Sequence, residues 1–239
     1  HQHTACDFTM ETGSPLATLR AASPVILPSL LLCDFGNLEH EIRAVEEGGA
    51  QVLHLDIMDG HFVPNITYGF TIVEAARRIT DLPLDVHLMI TDPARYVSRF
   101  VEAGAALVSV HIEAVPDPRS VLDQIRECGA AAGLVLNPPT PLSAVEAYLV
   151  HCDFVLAMTV MPGYGGQEFD ATVLPKIRDL RRLLPAEVLI EVDGGINAQT
   201  IGTCAAAGAE MFVTGSAVFR TPDYAASLRD LQNLAKSKR

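Results

Sequence analysis

A histidine, an aspartate and a methionine stand at alternate positions of one apolar segment. His54, Asp56 and Met58 lie in a run that is typical of a β-strand. Side chains two residues apart share one face of a strand, so these three point the same way. A second segment of the same kind places His87 and Met89 on one face. The spacing therefore predicts that imidazole, carboxylate and thioether groups lie together at the ends of two strands.

A third apolar segment, 188–192, is followed directly by Asp193 and two glycines. If the three strand ends meet, two imidazoles and two carboxylates surround one point. We therefore predict a site for one divalent metal ion, whose ligands are His54, Asp56, His87 and Asp193. This nitrogen and oxygen set suits Zn²⁺, Fe²⁺, Mn²⁺ or Co²⁺ better than Ca²⁺ or Mg²⁺, and the sequence does not choose among the four. The alternative is that each residue is a structural, hydrogen-bonded group.

The elements that must position these residues alternate regularly from residue 24 onward. Strands are predicted at 25–31, 52–57, 84–88, 107–110, 131–136, 154–158, 188–192 and 211–214. Helices are predicted at 37–47, 72–78, 93–103, 118–128, 141–150, 173–183, 198–207 and 223–235. Eight strand-helix units favour a (β/α)8 TIM barrel over an open sheet.

In such barrels the functional groups lie at the carboxyl ends of the strands. The four predicted ligands lie there, on the second, third and seventh strands. Met58, Met89 and Met158 also end strands, and we expect them to form an apolar lid over the site, with flexible core packing as the alternative. His111 is expected near the site without a role as a ligand.

Glycine-rich segments follow the last three strands. They lie at 162–167, 194–195 and 215–216. Loops after the seventh and eighth strands commonly bind phosphate in this fold, and glycine lets backbone amides approach an oxyanion closely. One such loop is most often only a turn, but three on consecutive strands predict a phosphate site.

The formal net charge of -12 opposes binding to nucleic acid or to an anionic membrane. It does not oppose a small phosphorylated ligand. Five scattered cysteines without a CxxC spacing are typical of free thiols, so we expect a cytoplasmic protein. Residues 1–22 lack a hydrophobic period, and we expect a disordered extension or an expression remnant there. Residues 23–239 are expected to form a single catalytic barrel domain.

Long motifs in this order resemble the ribulose-phosphate 3-epimerase family from about residue 25 to residue 219. They are Pro28-Ser29, HLDIMDGHFVPN (54–65), LDVHLM (84–89), VLNPPTP (135–141), MTVMPGYGGQ (158–167), EVDGGI (191–196) and GSAVF (215–219). The resemblance implies a barrel of the ribulose-phosphate-binding type and a metal-dependent isomerase that interconverts D-ribulose 5-phosphate and D-xylulose 5-phosphate. It implies a role in the pentose phosphate pathway or carbon fixation, and assembly into dimers or hexamers.

Motif positions assign a role to each site residue by this resemblance. Asp56 and Asp193 match the acid and base carboxylates, and His54 and His87 complete the metal ligands with them. The implied substrate contacts are Ser29, His87, Gly163, Tyr164, Gly165, Gly166, Gly194, Gly195, Gly215 and Ser216. Tyr164 stands where phenylalanine is common in the family, which leaves only fine substrate preference open.

Epimerisation at C3 requires removal of a proton from one face of the carbon and delivery of another to the opposite face. Asp56 and Asp193 are predicted to alternate as base and acid, through a cis-enediolate that the metal ion stabilises. Three other functions stay open: an epimerase for a six-carbon analogue such as allulose 6-phosphate, a metal-dependent barrel hydrolase, and a sugar-phosphate-binding barrel without catalysis.

Overall fold

A computed structural model describes residues 15–238, and its central feature is a sheet of eight parallel strands. The strands are β1 (Val25–Pro28), β2 (Leu53–Met58), β3 (Leu84–Met89), β4 (Ala105–His111), β5 (Ala131–Leu136), β6 (Phe154–Met158), β7 (Leu189–Asp193) and β8 (Met211–Thr214). Their order is β1-β8-β7-β6-β5-β4-β3-β2. A parallel bridge between Ser29 and His54 joins the two end strands and closes the sheet. The predicted (β/α)8 barrel is confirmed.

Helices pack against the barrel. They are α1 (Pro15–Ala22), α2 (Leu38–Glu47), α3 (Phe70–Ile79), α4 (Val97–Glu102), α5 (Arg119–Glu127), α6 (Leu174–Leu183), α7 (Ile201–Ala207), α8 (Ser216–Phe219) and α9 (Tyr224–Lys236). Two predicted helices are shorter or tighter than expected. Residues 93–103 begin with a 3-10 turn, Pro93–Arg95, before α4, and residues 141–150 form two 3-10 segments, Leu142–Ala144 and Glu146–His151.

Successive side chains of each strand point alternately to an apolar outer face and to a partly polar inner face. Leu53, Leu55 and Ile57 of β2 belong to the large apolar layer between the strands and the helices. Between them stand His54 and Asp56, which are buried as well. Because the side-chain period is two, the same strand supplies both the outer core and the polar inner groups.

The first strand is shorter than its predicted range of 25–31. It ends at Pro28, and a 3-10 turn, Leu30–Leu32, follows it. The Ser29 hydroxyl accepts a hydrogen bond from the Leu31 amide at 3.2 Å, which caps this turn. The turn places Ser29 at the carboxyl end of β1, beside β2.

The amino-terminal end of the barrel is closed by α1, which corrects the predicted extension at 1–22. Leu16 and Leu19 of this helix are buried in a second apolar cluster with inner residues of the strands, among them Leu27, Leu107 and Phe154. Residues 15–22 therefore belong to the fold, because two leucines one helical turn apart cover the barrel end. Residues 1–14, the rest of the predicted extension, lie outside the described residues.

Phe154 fills the barrel interior beside a glycine. A Cβ atom at Gly133 would lie 2.3 Å from the Phe154 ring, so this position of β5 leaves space for the ring. Cys33, Cys128, Cys152 and Cys204 are free thiols, and Cys6 lies outside the described residues. Among residues 15–238, no helix has the length and apolar character needed to cross a lipid bilayer.

Candidate active site

The four predicted metal ligands meet at the carboxyl end of the barrel. One nitrogen or oxygen atom from each of His54, Asp56, His87 and Asp193 lies within 4.8 Å of the others. Asp56 Oδ1 lies 3.3 Å from Nε2 of His54 and 3.4 Å from Nδ1 of His87. Asp193 Oδ2 lies 4.0 Å and 3.8 Å from the same two nitrogens. One nitrogen of each imidazole therefore faces the two carboxylates.

Strand register explains why these side chains lie at one level. Asp56 of β2 pairs with His87 of β3, and Asp193 of β7 pairs with Met158 of β6. The bridge between Ser29 and His54 sets the level of β1 against β2. Ser29 is thereby placed so that its hydroxyl donates a 2.6 Å hydrogen bond to Asp56 Oδ2.

Two carboxylates that the sequence analysis did not select lie behind His54. Nδ1 of His54 is 2.6 Å from Asp85 Oδ2 and 3.3 Å from Glu191 Oε1, and both acidic side chains are fully buried. Each precedes a predicted ligand by two residues, Asp85 before His87 and Glu191 before Asp193. The period of two that selected the ligands could therefore have found them as well.

His111 and Glu113 lie behind His87 in the same way. Nε2 of His87 is 2.8 Å from Nε2 of His111, and Nδ1 of His111 is 3.1 Å from Glu113 Oε2. The expectation that His111 lies near the site agrees with this geometry. Glu113 was not selected from the sequence, because it lies in the loop after β4, where no strand period applies.

The donor atoms fit a metal ion. Nδ1 of His87 is buried, and among residues 15–238 no group hydrogen-bonds to it, although two carboxylate oxygens lie within 4 Å. A tetrahedral ion with bonds of about 2.0–2.2 Å holds its ligand atoms roughly 3.3–3.6 Å apart. The separations of 3.3 and 3.4 Å at Asp56 fall in that range, and those of Asp193 exceed it slightly. This cluster of imidazoles and carboxylates could hold a divalent metal ion.

The two carboxylates of the cluster differ in their electrostatic surroundings. Burial and the charge of Asp56 raise the pKa of Asp193 to about 7. Burial acts in the same direction on Asp56, but the charge of His54 and the hydrogen bond with His54 hold its pKa well below its usual range. One carboxylate is thus kept ionised while the other is able to hold a proton near neutral pH, which suits a paired base and acid.

Burial and neighbouring groups also shift the pKa of His54, His87 and Glu113. Burial opposes the protonation of His54, yet the charges of Asp56 and Asp85 raise its pKa well above the usual value. Burial lowers the pKa of His87 to about 4. Burial tends to raise the pKa of Glu113, but hydrogen bonds, with that of His111 first, lower it to about 2.

A cavity of about 530 Å³ opens above the cluster. Asp56 and Asp193 reach its surface, and the three predicted lid residues line it. Met58 and Met89 belong to one apolar cluster with Val63, whereas Met158 belongs to another with Val160. The lining also contains the predicted substrate contacts Ser29, Gly163, Tyr164, Gly165, Gly166, Gly194, Gly195, Gly215 and Ser216. His87, the other predicted substrate contact, is fully buried and does not line the cavity.

Two of these glycines have backbone conformations and neighbours that exclude a side chain. Gly194 has φ 123° and Gly195 φ 64°. A Cβ atom at Gly194 would lie 2.5 Å from the Val160 side chain, and one at Gly195 would lie 2.6 Å from the backbone nitrogen of Phe169. The backbone after β7 therefore lies directly against the loop after β6.

Asn197 and Thr200 are further cavity residues that sequence reasoning missed. The side-chain amide of Asn197 donates to the Gly195 carbonyl at 3.1 Å, and the Thr200 hydroxyl donates to it at 2.9 Å. These two hydrogen bonds fix the glycine loop. Asn197 and Thr200 follow the EVDGGI motif by one and four residues, so they lie outside the motifs from which site residues were predicted.

Tyr164 lines the cavity and also contacts the loop after β2. The residue is more than half exposed, and its hydroxyl donates to the Pro64 carbonyl at 2.8 Å. The Asn65 side-chain amide donates to the Gly163 carbonyl at 2.9 Å. The loop after β6 is therefore bound to the loop after β2 at the cavity mouth.

Comparisons with known proteins point to one family. The model of the ribulose-phosphate 3 epimerase family matches residues 25–219. A protein named ribulose-phosphate 3-epimerase from Bacillus subtilis is 49% identical over 211 residues, which cover 87% of this chain and 97% of that protein. One of the same name from Synechocystis is 50% identical over 214 residues, covering 87% and 93% of the two chains.

Among solved structures, the crystal structure of 3-hexulose-6-phosphate synthase from Salmonella typhimurium is similar with a TM-score of 0.68. The match covers 90% of this chain and all of that one, at 16% sequence identity. At that identity the similarity concerns the barrel fold alone.

Proposed function

The chain belongs to the ribulose-phosphate 3-epimerase family, and from that premise we propose that it interconverts D-ribulose 5-phosphate and D-xylulose 5-phosphate. The observation that carries the proposal is the pair of carboxylates, Asp56 and Asp193, that face two imidazoles on the floor of one cavity. Inversion of a carbon next to a carbonyl needs a base on one face and an acid on the other. A matched pair of carboxylates supplies both.

In the proposed mechanism, Asp56 and Asp193 exchange roles with the direction of the reaction. One removes the C3 proton, which gives a planar cis-enediolate, and the other delivers a proton to the opposite face. Ser29 orients Asp56, since its hydroxyl donates to Oδ2 and leaves Oδ1 toward the imidazoles. The surrounding methionines exclude water from the proton transfer.

His54, Asp56, His87 and Asp193 would hold the metal ion that we propose as cofactor. A bound divalent ion supplies Lewis-acid stabilisation of negative charge on the substrate oxygens. Zinc, iron, manganese and cobalt all suit the imidazole and carboxylate donors. The unpartnered Nδ1 of His87 supports this assignment, because a buried nitrogen without a partner is costly unless a ligand satisfies it.

The phosphate of the substrate is proposed to bind at the glycine loops after β6, β7 and β8. Gly195, Gly215 and Ser216 lie on the cavity wall. Backbone amides of tightly packed glycines bind an oxyanion without a basic side chain, in keeping with the acidic chain. Phosphate bound at these loops positions the sugar and takes no part in the proton transfer.

Metal analysis combined with an activity assay tests this function. The purified protein should contain about one divalent ion per chain and should interconvert the two pentulose 5-phosphates. Chelation should abolish activity, and restoring zinc, manganese or cobalt should recover it, because the ion stabilises the charge that develops on the substrate. Full activity in the metal-free protein would contradict the proposed cofactor but not the carboxylate mechanism.

Substrate comparisons separate the remaining alternatives. Equal rates with allulose 6-phosphate would favour the six-carbon epimerase, and equal rates with unphosphorylated ribulose would contradict the phosphate site. Binding without turnover would indicate a sugar-phosphate-binding barrel. The proposed cytoplasmic location and the dimer or hexamer stay predictions, which fractionation and light scattering would test.

A further inference from the structure

A chain of hydrogen bonds leads from a loop carboxylate to the ring of His87. Oε2 of Glu113 lies 3.1 Å from Nδ1 of His111, and Nε2 of His111 lies 2.8 Å from Nε2 of His87. The two rings are nearly parallel, at 22° and 5.0 Å between centroids, and both are fully buried. The remaining nitrogen of His87 faces Asp56 and Asp193.

The chemistry of these groups allows one arrangement of protons along the chain. An ionised carboxylate only accepts hydrogen bonds, so Nδ1 of His111 donates to Glu113. A neutral imidazole has one donor and one acceptor, and two buried rings in contact are least costly when both are neutral. Nε2 of His111 therefore accepts, and Nε2 of His87 donates to it. Nδ1 of His87 is left with a lone pair.

We propose that Glu113 is a positioning residue that acts through His111 to keep the proton of His87 on Nε2, so that Nδ1 is free to bind a metal ion. The inference rests on the proposed function, since it presumes an ion held by His54, Asp56, His87 and Asp193. It accounts for the buried Nδ1 of His87, to which no described residue hydrogen-bonds. A histidine ligand is commonly oriented by the partner of its other nitrogen.

The other histidine ligand has a carboxylate directly at its far nitrogen. Nδ1 of His54 lies 2.6 Å from Asp85, so its Nε2 is left toward the site. His87 has His111 in the place of such a carboxylate. Without a fixed acceptor at Nδ1 of His111, nothing would determine which of the two Nε2 atoms carries the proton between the rings. Glu113 supplies that acceptor.

The carboxylate itself is held in a fixed orientation. Oε1 of Glu113 accepts the backbone amide of Asn137 at 2.8 Å and the Thr140 hydroxyl. Nζ of Lys176 binds the carbonyl oxygens of Asn137 and Thr140 at 2.9 and 2.6 Å, which fixes this loop. Oε2 is consequently the oxygen that faces His111.

The substitution Glu113→Gln tests the proposal because it keeps the size of the side chain but reverses the direction of the hydrogen bonds from residue 113 to His87. The Asn137 amide requires an acceptor, so the amide oxygen of the glutamine takes the place of Oε1. The NH₂ group then faces Nδ1 of His111 and donates to it. His111 must carry its proton on Nε2, His87 must accept there, and the proton of His87 moves to Nδ1, where it blocks the metal ion.

Two measurements report this reversal. In the metal-free protein, ¹⁵N NMR of the imidazoles should show His87 protonated at Nε2 and His111 at Nδ1, and Glu113→Gln should exchange both. Titration with Zn²⁺ should show about 10–100-fold weaker binding in Glu113→Gln, the usual effect of losing a partner of a metal-binding histidine. The matched control is Glu102→Gln, since this carboxylate lies exposed on α4, and it should match the wild type.

Each outcome decides between the proposals. Wild-type zinc affinity with unchanged protonation in Glu113→Gln would overturn the role of Glu113. If Glu113→Gln folds poorly, the wild-type protein alone decides the question. Protonation of its His87 at Nδ1 would overturn the role of Glu113. A wild-type protein that binds no zinc would overturn the metal site of the proposed function, while the NMR result would still decide whether Glu113 sets the proton positions.

Discussion

Asp56 carries several roles in one side chain. Its Oδ1 faces both imidazoles and its Oδ2 accepts from Ser29, and the charge of His54 helps to keep it ionised in a buried position. Without these partners, burial would favour the neutral acid. The ability of this residue to act as a base therefore depends on groups from β1, β2 and β3 together.

Replacing Asp56 by asparagine should lower the rate of epimerisation by about 10²–10⁴-fold, because the side chain loses its ability to take up a proton. Asparagine has nearly the same shape as aspartate, so the barrel should stay folded. The rate of conversion of ribulose 5-phosphate, measured beside a circular dichroism melting curve, checks both statements. Turnover close to that of the wild type would remove Asp56 from the mechanism.

Replacing Ser29 by alanine should lower kcat/KM by roughly 10–100-fold. The 2.6 Å hydrogen bond to the Asp56 carboxylate is charge-assisted, and losing such a bond costs about 1.5–3 kcal/mol. Ser237→Ala near the carboxyl end is the control, since its hydroxyl caps α9 and is remote from the cavity. Equal kinetics in Ser29→Ala and Ser237→Ala would show that Asp56 needs no orientation by Ser29.

At the scale of elements, the loops at the carboxyl ends of the strands depend on each other. The loop after β7 touches the loop after β6 at Gly194 and Gly195, and the loop after β6 is bound to the loop after β2 through Tyr164. The strands carry the charged groups, whereas these contacts shape the cavity in which the substrate is proposed to bind.

Gly195→Ala should raise KM for the sugar phosphate and destabilise the fold. The left-handed conformation costs about 1–2 kcal/mol for a residue with a Cβ atom, and the contact with Phe169 displaces the loop in addition. Gly129→Ala is the matched control: its φ is 95°, but an added Cβ meets no described heavy atom within 4 Å.

Kinetics and urea unfolding of both glycine variants separate the two effects. Gly129→Ala should lose stability of about 1–2 kcal/mol with an unchanged KM, because it lies between α5 and β5 at the opposite end of the barrel. An unchanged KM in Gly195→Ala would contradict a phosphate site at the loop after β7.

At the scale of the whole molecule, the two ends of the barrel serve different purposes. The carboxyl end holds the buried histidines and carboxylates, and the amino-terminal end is an apolar cluster covered by α1. This separation lets the stability of the fold and the chemistry of the site be changed independently.

Leu19→Ala should lower the free energy of unfolding by about 2–5 kcal/mol and leave kcat/KM unchanged, because Leu19 is buried at the end of the barrel remote from the cavity. Urea unfolding beside the epimerase assay measures both. Thr18→Ala on the exposed face of the same helix should change stability by less than about 0.5 kcal/mol. A Leu19→Ala variant as stable as Thr18→Ala would show that α1 contributes little to the fold.

The sequence by itself determined the barrel and the faces of its strands. Alternation is a local property, so the period of two was enough to place His54 with Asp56 on one face of β2. The repeated strand-helix units and the glycine loops were local signals of the same kind. The segment at 15–22 was misjudged, because two leucines one turn apart are too short a pattern to reveal the barrel end that they cover.

Only the tertiary structure decided which atom of each side chain faces the site. His111 stands 24 residues after His87, and Asp85 stands 31 residues after His54, so these hydrogen bonds depend on strand register. Register arises when the barrel closes and buried polar atoms from different strands must find partners. The direction of a proton along the chain from Glu113 to His87 is for that reason a property of the folded barrel, which no stretch of the sequence specifies alone.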